Sequence, residues 1–245
     1  MAEKETPKSN YNPELNNMLL EILRGDGTRN DIEKAFHLIM AGADPDLKQI
    51  SYDNSTILKK VIYLQDLNIF KKFVIEAKCS TNIKSLGGRK PIDFAIKEWC
   101  GSIVQWLLEN DAASSKETIM DSIIHEKRNR LHLLIDSRRL LDKEQDGIFI
   151  AALLIDNGVD LLERNEDGMI PWELAEKKWP NSAFSLFLKK ETSRKFNKID
   201  DNEKINLAKA NLTELYLMEE NRNLKKEITN IKEKLKILED KLGIN

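Results

Sequence analysis

One feature limits what this chain can fold into more than any other: a segment of it recurs. GRKPIDFAIKEWCGSIVQWLLEN (Gly88–Asn110) and GMIPWELAEKKWPNSAFSLFLKK (Gly168–Lys190) align without a gap. The alignment pairs Pro91 with Pro171, Ala95 with Ala175, Trp99 with Trp179 and Ser102 with Ser182. A third copy begins at Asp53, with Ile57 in the place of Pro91, a step of 34 residues. Each copy reads as a turn, a short helix, a tight loop and a second, more apolar helix. No single unit of this kind has a core of its own, so neighbouring units must stack to bury their apolar faces.

The local chemistry agrees. Asp-Gly and Gly-Gly supply the positive-φ residues that a tight turn needs. Pro91 and Pro171 sit where a helix begins, with no amide hydrogen to lose. Ala95 and Ala175 let paired helices approach closely, while DIEKAFHLIM, LNIFKKFVI, IVQWLL and IFIAALLI supply the apolar second helices. The first unit is predicted to start at Pro13, with Asn12 as its N-cap, and to run to Asp46. Between Ala113 and Gly158 the period breaks. Ser114 and Glu117 have capping-box spacing there, and the length predicts an irregular repeat with extended or extra helices. The last unit ends in the polar run Lys189-Lys190-Glu191, as a terminal cap should.

These residues resemble the ankyrin repeat, whose family pattern is D-G-x-T-P-L-H-x-A, a loop, then an apolar helix ending in G-A-D. GADPD (Gly42–Asp46), GVDLLERNEDGMIPWELA (Gly158–Ala175) and GGRKPIDFA (Gly87–Ala95) carry the likeness, which covers residues 13–190. The copies are degenerate: the family His is Lys59, Asp93 and Glu173 here, and the family Thr is Thr56, Lys90 and Ile170. The resemblance implies an all-α solenoid of about five repeats. It also implies that partners bind the concave face, made by the turn tips and first helices. The tips hold Lys48, Gln49, Tyr52, Lys84, Ser85, Leu86, Arg164 and Glu166. Tyr52 is either the anchor, offering area at low entropic cost, or a hairpin aromatic packing locally. Trp99 and Trp179 stand where the family usually has Gly. They either cover the base of a helix pair or form a second contact surface.

The C-terminal segment has a different period. Asn221, Ile228, Leu235 and Leu242 fall at heptad position a, and Leu217, Leu224, Ile231 and Leu238 at d. Aliphatic a and d positions with one buried Asn favour two parallel strands in register. A parallel homodimer would place Glu220 beside Lys225, Glu227 beside Lys232 and Lys234 beside Glu239, all attractive. The competing arrangement is a surface helix folded back on the repeats, which needs a wider stripe at period 3.6. Upstream, Ile205, Ala208, Leu212 and Leu215 run out of phase with the heptads and either dock on the last repeat or mark a stutter. The expected organisation is a disordered stretch at 1–11, a repeat domain at 12–190 and, at 191–204, a polar linker or loose helix start. A C-terminal helix at 205–245 would follow, with a coiled coil at 217–242.

Composition and motifs narrow the function. The formal net charge of −2 provides no basic field for nucleic acid or an anionic membrane, and no Lys/Arg block precedes the heptads. No stretch reaches transmembrane length, and the first residues lack the apolar core of a signal peptide. Cys79 and Cys100 are far apart, so a disulfide framework is not expected and a reducing cytoplasm is. His37, His125 and His132 have no metal spacing, with His37 expected to pack inside a core-facing helix. Cys100 lacks an identifiable base, and neither GDG (Gly25–Gly27) nor GGRK (Gly87–Lys90) has phosphate-loop spacing.

No catalytic, cofactor-binding or metal residues are assigned. The expectation is a non-enzymatic, homodimeric scaffold or adaptor for protein–protein interaction. Its degenerate repeats and its Lys, Asn, Ile and Glu content look like the host-directed ankyrin effectors of intracellular bacteria, which would act in the host cytosol. The other readings are a transcription-related regulator acting through bound proteins and an enzyme with an unrecognised site.

Overall fold

Helix starts in this chain are set by side chains that satisfy free amides. The Asn12 carboxamide accepts the amides of Glu14 and Leu15 (2.9 and 3.5 Å), and Pro13 follows it as the first residue of α1 (Pro13–Arg24). Thr28 and Asp31 form a reciprocal capping box that opens α2 (Arg29–Met40). The computed structural model describes residues 11–49, 56–85, 88–110, 129–137 and 140–198, with 224, 226–232 and 234. The described elements continue with α3 (Ile57–Tyr63), α4 (Leu67–Ile75), α5 (Pro91–Lys97) and α6 (Gly101–Asn110). They end with α7 (Arg130–Asp136), α8 (Leu140–Asp156), α9 (Pro171–Lys178) and α10 (Ala183–Lys198). Among the described residues there is no strand, and the fold they form is all-α.

The ten helices pack as five consecutive pairs among the described residues. The first helices α3, α5, α7 and α9 lie side by side in that order, and so do the second helices α4, α6, α8 and α10. At the N-terminal end α1 packs on α2, and α2 on α3. One hydrophobic core threads the stack, from Leu19 and Ile32 through Phe70, Ile96 and Leu134 to Phe184 and Leu188. Ala95 and Ala175 are fully buried where the helices approach closely. Asp66 caps α4 through the amides of Asn68 and Ile69 (3.0 and 3.1 Å).

Several expectations need correction. The stretch at 191–204 is no linker as far as Lys198: it is helical there, as a continuation of α10 rather than a new start, with no Gly or Pro to stop the helix and Thr192 buried. The described residues of the irregular stretch, 129–137 and 140–158, form a fourth pair, α7 and α8, and α8 kinks at Lys143 (φ −137°, ψ 30°). His37 is exposed rather than packed: the buried stripe of α2 is Ile32, Ala35, Phe36 and Ile39, and His37 lies off it.

Trp99 covers the base of the helix pairs, at 1% exposure, with Trp179 and Phe184 against it (ring centroids 6.4 and 6.0 Å). Its backbone adopts φ 57°, a conformation that costs a side-chain-bearing residue about 1 kcal/mol or more. Burying an indole offsets that cost. In the equivalent loop of the last pair the positive φ (59°) belongs to Asn181 instead, because α10 begins two residues later in the aligned register than α6.

Residues 1–10, Ser114, Glu117, His125, Ile205, Ala208, Leu212 and Leu215 lie outside the described residues, as do Leu217, Asn221, Leu235, Leu238 and Leu242.

Candidate partner-binding surface

Two hairpin turns along one edge of the stack share one construction. Ser85 donates its amide to the Arg89 carbonyl (2.8 Å) and Gly88 to the Ser85 carbonyl (3.0 Å). Asn165 and Gly168 repeat the pattern with Met169 and Asn165 (3.0 and 2.9 Å). Gly88 and Gly168 take φ of 79° and 75°, the left-handed conformation that only glycine adopts cheaply. Asn165 is buried, and its side-chain oxygen accepts the amides of Asp167 and Met169 (3.1 and 2.9 Å). The second turn is therefore braced from inside.

Of the tip residues picked from sequence, Lys84 and Glu166 are exposed, and Lys48, Ser85 and Arg164 are half-buried. Gln49 is a correction. It is 8% exposed, because in the extended segment after α2 neighbouring side chains point to opposite faces and its own turns inward. Tyr52 and Leu86 lie outside the described residues. The turns and loops are tied across units as well: Asp46 Oδ1 accepts the Ser80 amide (2.7 Å), and Asn129 Nδ2 donates to the Asp160 carbonyl (2.6 Å). Burial, followed by the nearby Asp44 charge, raises the Asp46 carboxyl above its ordinary range against the opposing effect of the Ser80 amide.

Behind the turns runs a line of polar side chains, buried at Asp93 and His132 and partly exposed at Glu173. Asp93, His132 and Glu173 each sit two residues past a helix start. Each faces the amide of its own N-cap: Asp93 to Lys90 (2.7 Å), His132 to Asn129 (3.4 Å) and Glu173 to Ile170 (3.0 Å). His132 is fully buried, and its Nε2 lies 2.9 Å from the Met169 carbonyl. That carbonyl can only accept, so Nε2 carries a proton, while Nδ1 lies 3.0 Å from the Asn129 side-chain oxygen and 3.4 Å from the Asn129 amide. Arg130 Nε donates to Asp93 Oδ1 at 2.8 Å, joining the third pair to the fourth. Sequence reasoning missed His132 because Arg130 stands where Pro91 and Pro171 stand in the other copies. The signal was available in Asn129-Arg130-Leu131-His132, a cap, a helix start and a polar residue two positions later.

A groove of about 290 Å³ opens between the second hairpin and the C-terminal half of α10. Leu162, Ile170, Trp172 and Phe196 form apolar walls, and Arg164 and Thr192 reach into it. Arg164 Nη1 is committed to the Gly168 carbonyl and lies 3.4 Å from Glu173 Oε2. Arg164 Nε and Thr192 Oγ1 are buried without a hydrogen-bond partner among the described residues. Each such orphan costs about 1–3 kcal/mol. Lys189 Nζ stands 5.4 Å from the centre of the Trp172 ring.

The thiols are enclosed. Cys79 and Cys100 are both buried and free, and Cys100 Sγ lies 3.5 Å from the Ile62 carbonyl. Burial, aided by Asp46 and Asp44, pushes the Cys79 thiol far above its ordinary range, away from thiolate chemistry. No group of three His, Cys, Asp or Glu side chains that could hold a metal occurs among the described residues. No described helix is long and apolar enough to cross a membrane.

In the C-terminal segment, residues 226–232 are helical. Leu224, Ile228 and Ile231 are 49%, 51% and 61% exposed. No protein-family model matches the chain, and no curated protein matches it.

Proposed function

We propose that this chain is a non-enzymatic protein-binding scaffold: an ankyrin-type solenoid of five degenerate repeats that dimerises through a parallel coiled coil over 217–242. The observation that carries the proposal is one helix-start arrangement recurring in successive units, with Asp93, His132 and Glu173 each reaching the amide of its own cap. A chain that repeats one junction builds a long face rather than one enclosed cavity, and a long face suits a macromolecular partner. The exposed turn residues Lys84 and Glu166 lie on that face, with Arg164 half-buried beside them.

Support for the dimer comes from Leu224, Ile228 and Ile231. They occupy d, a and d on a helix, and each is exposed to solvent over about half its surface or more. Short helices in water owe most of their stability to packing an apolar face, which a second copy would supply here. The mechanism is binding with avidity: two linked faces raise the effective concentration of the second site when the target is multivalent. Two buried free thiols suit a reducing compartment, the cytoplasm, or the host cytosol if the chain is a bacterial effector.

The test combines light scattering with affinity capture, using the intact chain and a chain ending at Lys198. The intact chain should be a dimer that retains a partner through stringent washing. The shortened one should be a folded monomer that loses most of it. A dimeric shortened chain, or equal retention by both, overturns the proposal.

A further inference from the structure

The groove beside α10 has a chemical character of its own. Thr192 is only 6% exposed, yet its hydroxyl has no partner among the described residues, and Arg164 Nε beside it is in the same condition. Two unpartnered donors lining one groove, one of them cationic, suit a carboxylate, because charge-assisted bonds are shorter and stronger than neutral ones. The charges nearby fit a single negative group. Glu173 already accepts the Ile170 amide and faces Arg164 Nη1. Arg164 and Lys189 together leave one positive charge in excess. Leu162, Ile170, Trp172 and Phe196 supply apolar walls, and Ser193 and Asn197 complete the lining with polar ones. At about 290 Å³ the space is at the small end of ligand pockets and holds about one amino-acid residue.

We infer that this groove binds the free C-terminus of a polypeptide partner, its carboxylate on Arg164 Nε and Thr192 Oγ1 and its last apolar side chain against Trp172 and Phe196. The inference rests on the proposal that the chain binds proteins, and it names the part of the partner that is held. Capturing a chain end needs no long complementary surface. It therefore works beside the turn tips as a second, short-range contact.

The test is a nuclear magnetic resonance titration of the intact, nitrogen-15-labelled protein with three probes. These are N-acetyl-phenylalanyl-leucine with a free carboxylate, the same dipeptide as its C-terminal amide, and 4-methylpentanoate. The free acid should shift the Trp172 indole and Arg164 Nε–H signals and bind at least tenfold more tightly than the other two. Thr192→Val keeps the shape and removes the hydroxyl. It should weaken the free acid about tenfold, and its melting temperature should stay level or rise.

Equal binding of the amide overturns the carboxylate, and equal binding of 4-methylpentanoate overturns the polypeptide origin. Unchanged affinity in Thr192→Val overturns the site itself. If the groove fails while the intact chain still retains a partner, the scaffold proposal stands without it.

Discussion

Arg130 and Asp93 form an ion pair in which both side chains are enclosed, 4% and 2% exposed, with Nε donating to Oδ1 at 2.8 Å. The other oxygen of Asp93 accepts the Lys90 amide at 2.7 Å. One carboxylate therefore opens α5 and fastens α7 to it. Arg130→Met should cost about 3–5 kcal/mol in denaturant unfolding, because it leaves a charge buried without its partner. Arg130→Met with Asp93→Asn should recover much of that loss, since the amide still accepts from Lys90 and no charge remains. A double variant as unstable as the single one would mean that packing, not charge, sets the cost.

Gly147 carries the opposite sign from the usual helix rule. Gly→Ala inside a helix normally stabilises by about 1 kcal/mol. At Gly147 an added Cβ would lie 2.4 Å from the Trp99 ring. Gly147→Ala should therefore destabilise by about 1–3 kcal/mol, the usual cost of overpacking. Trp99→Leu in the same chain should reverse the sign of the Gly147→Ala step, read as a change in melting temperature.

The half-buried Asp46 should give a pH signature. Its folded-state pKa is raised, so the folded chain holds this proton more tightly than the unfolded one. Its contribution to stability is fully present below the ordinary carboxylate range, about 4, and is lost as pH rises through the raised value. Asp46→Asn keeps an acceptor for the Ser80 amide and carries no charge. It should match or exceed the wild-type melting temperature at pH 7, and the advantage should vanish on acidification. A variant that melts lower at pH 7 would show that the ionised form is favoured there.

Changes in the heptads should act on assembly and leave the repeats alone. Ile228→Glu places a charge at position a and should yield a monomer in sedimentation equilibrium, with the main thermal transition unmoved. Lys225→Glu with Lys232→Glu should weaken the dimer by facing Glu220 and Glu227 with like charge, at about 0.2–1 kcal/mol per exposed pair. Asn221→Ile should raise the melting temperature of the coiled coil and admit larger assemblies, because the only polar group that selects one register is gone. A single mass with lowered stability would contradict an a-position role.

Much of the fold was legible because the signals are local. Pro91 and Pro171 mark helix starts, Asn12 caps α1, and LNIFKKFVI spans all of α4. The fourth pair was harder. Arg130 follows Pro91 by 39 residues and Pro171 follows Arg130 by 41, so a 34-residue period passes over it. The reach of α10 to Lys198 was hidden by composition. A polar run reads as a linker until Thr192 and Phe196 are seen to line a groove with Trp172, which is distant in sequence. Gln49 and His37 were misjudged for a common reason: burial follows the direction of a side chain, and one position along the backbone reverses or rotates it.

The kink in α8 has a consequence for how the molecule comes apart. Lys143, at the non-helical turn, donates to Gln65 Oε1 at 2.6 Å, and Gln65 Nε2 reaches the Glu98 carbonyl at 3.3 Å. The second and fourth helix pairs are thereby laced together across the third. An end pair can fray by letting go of one neighbour, but none of the middle three can open without loosening the other two. Amide exchange should accordingly divide the stack into a slow central block and two faster flanks, rather than five equal steps.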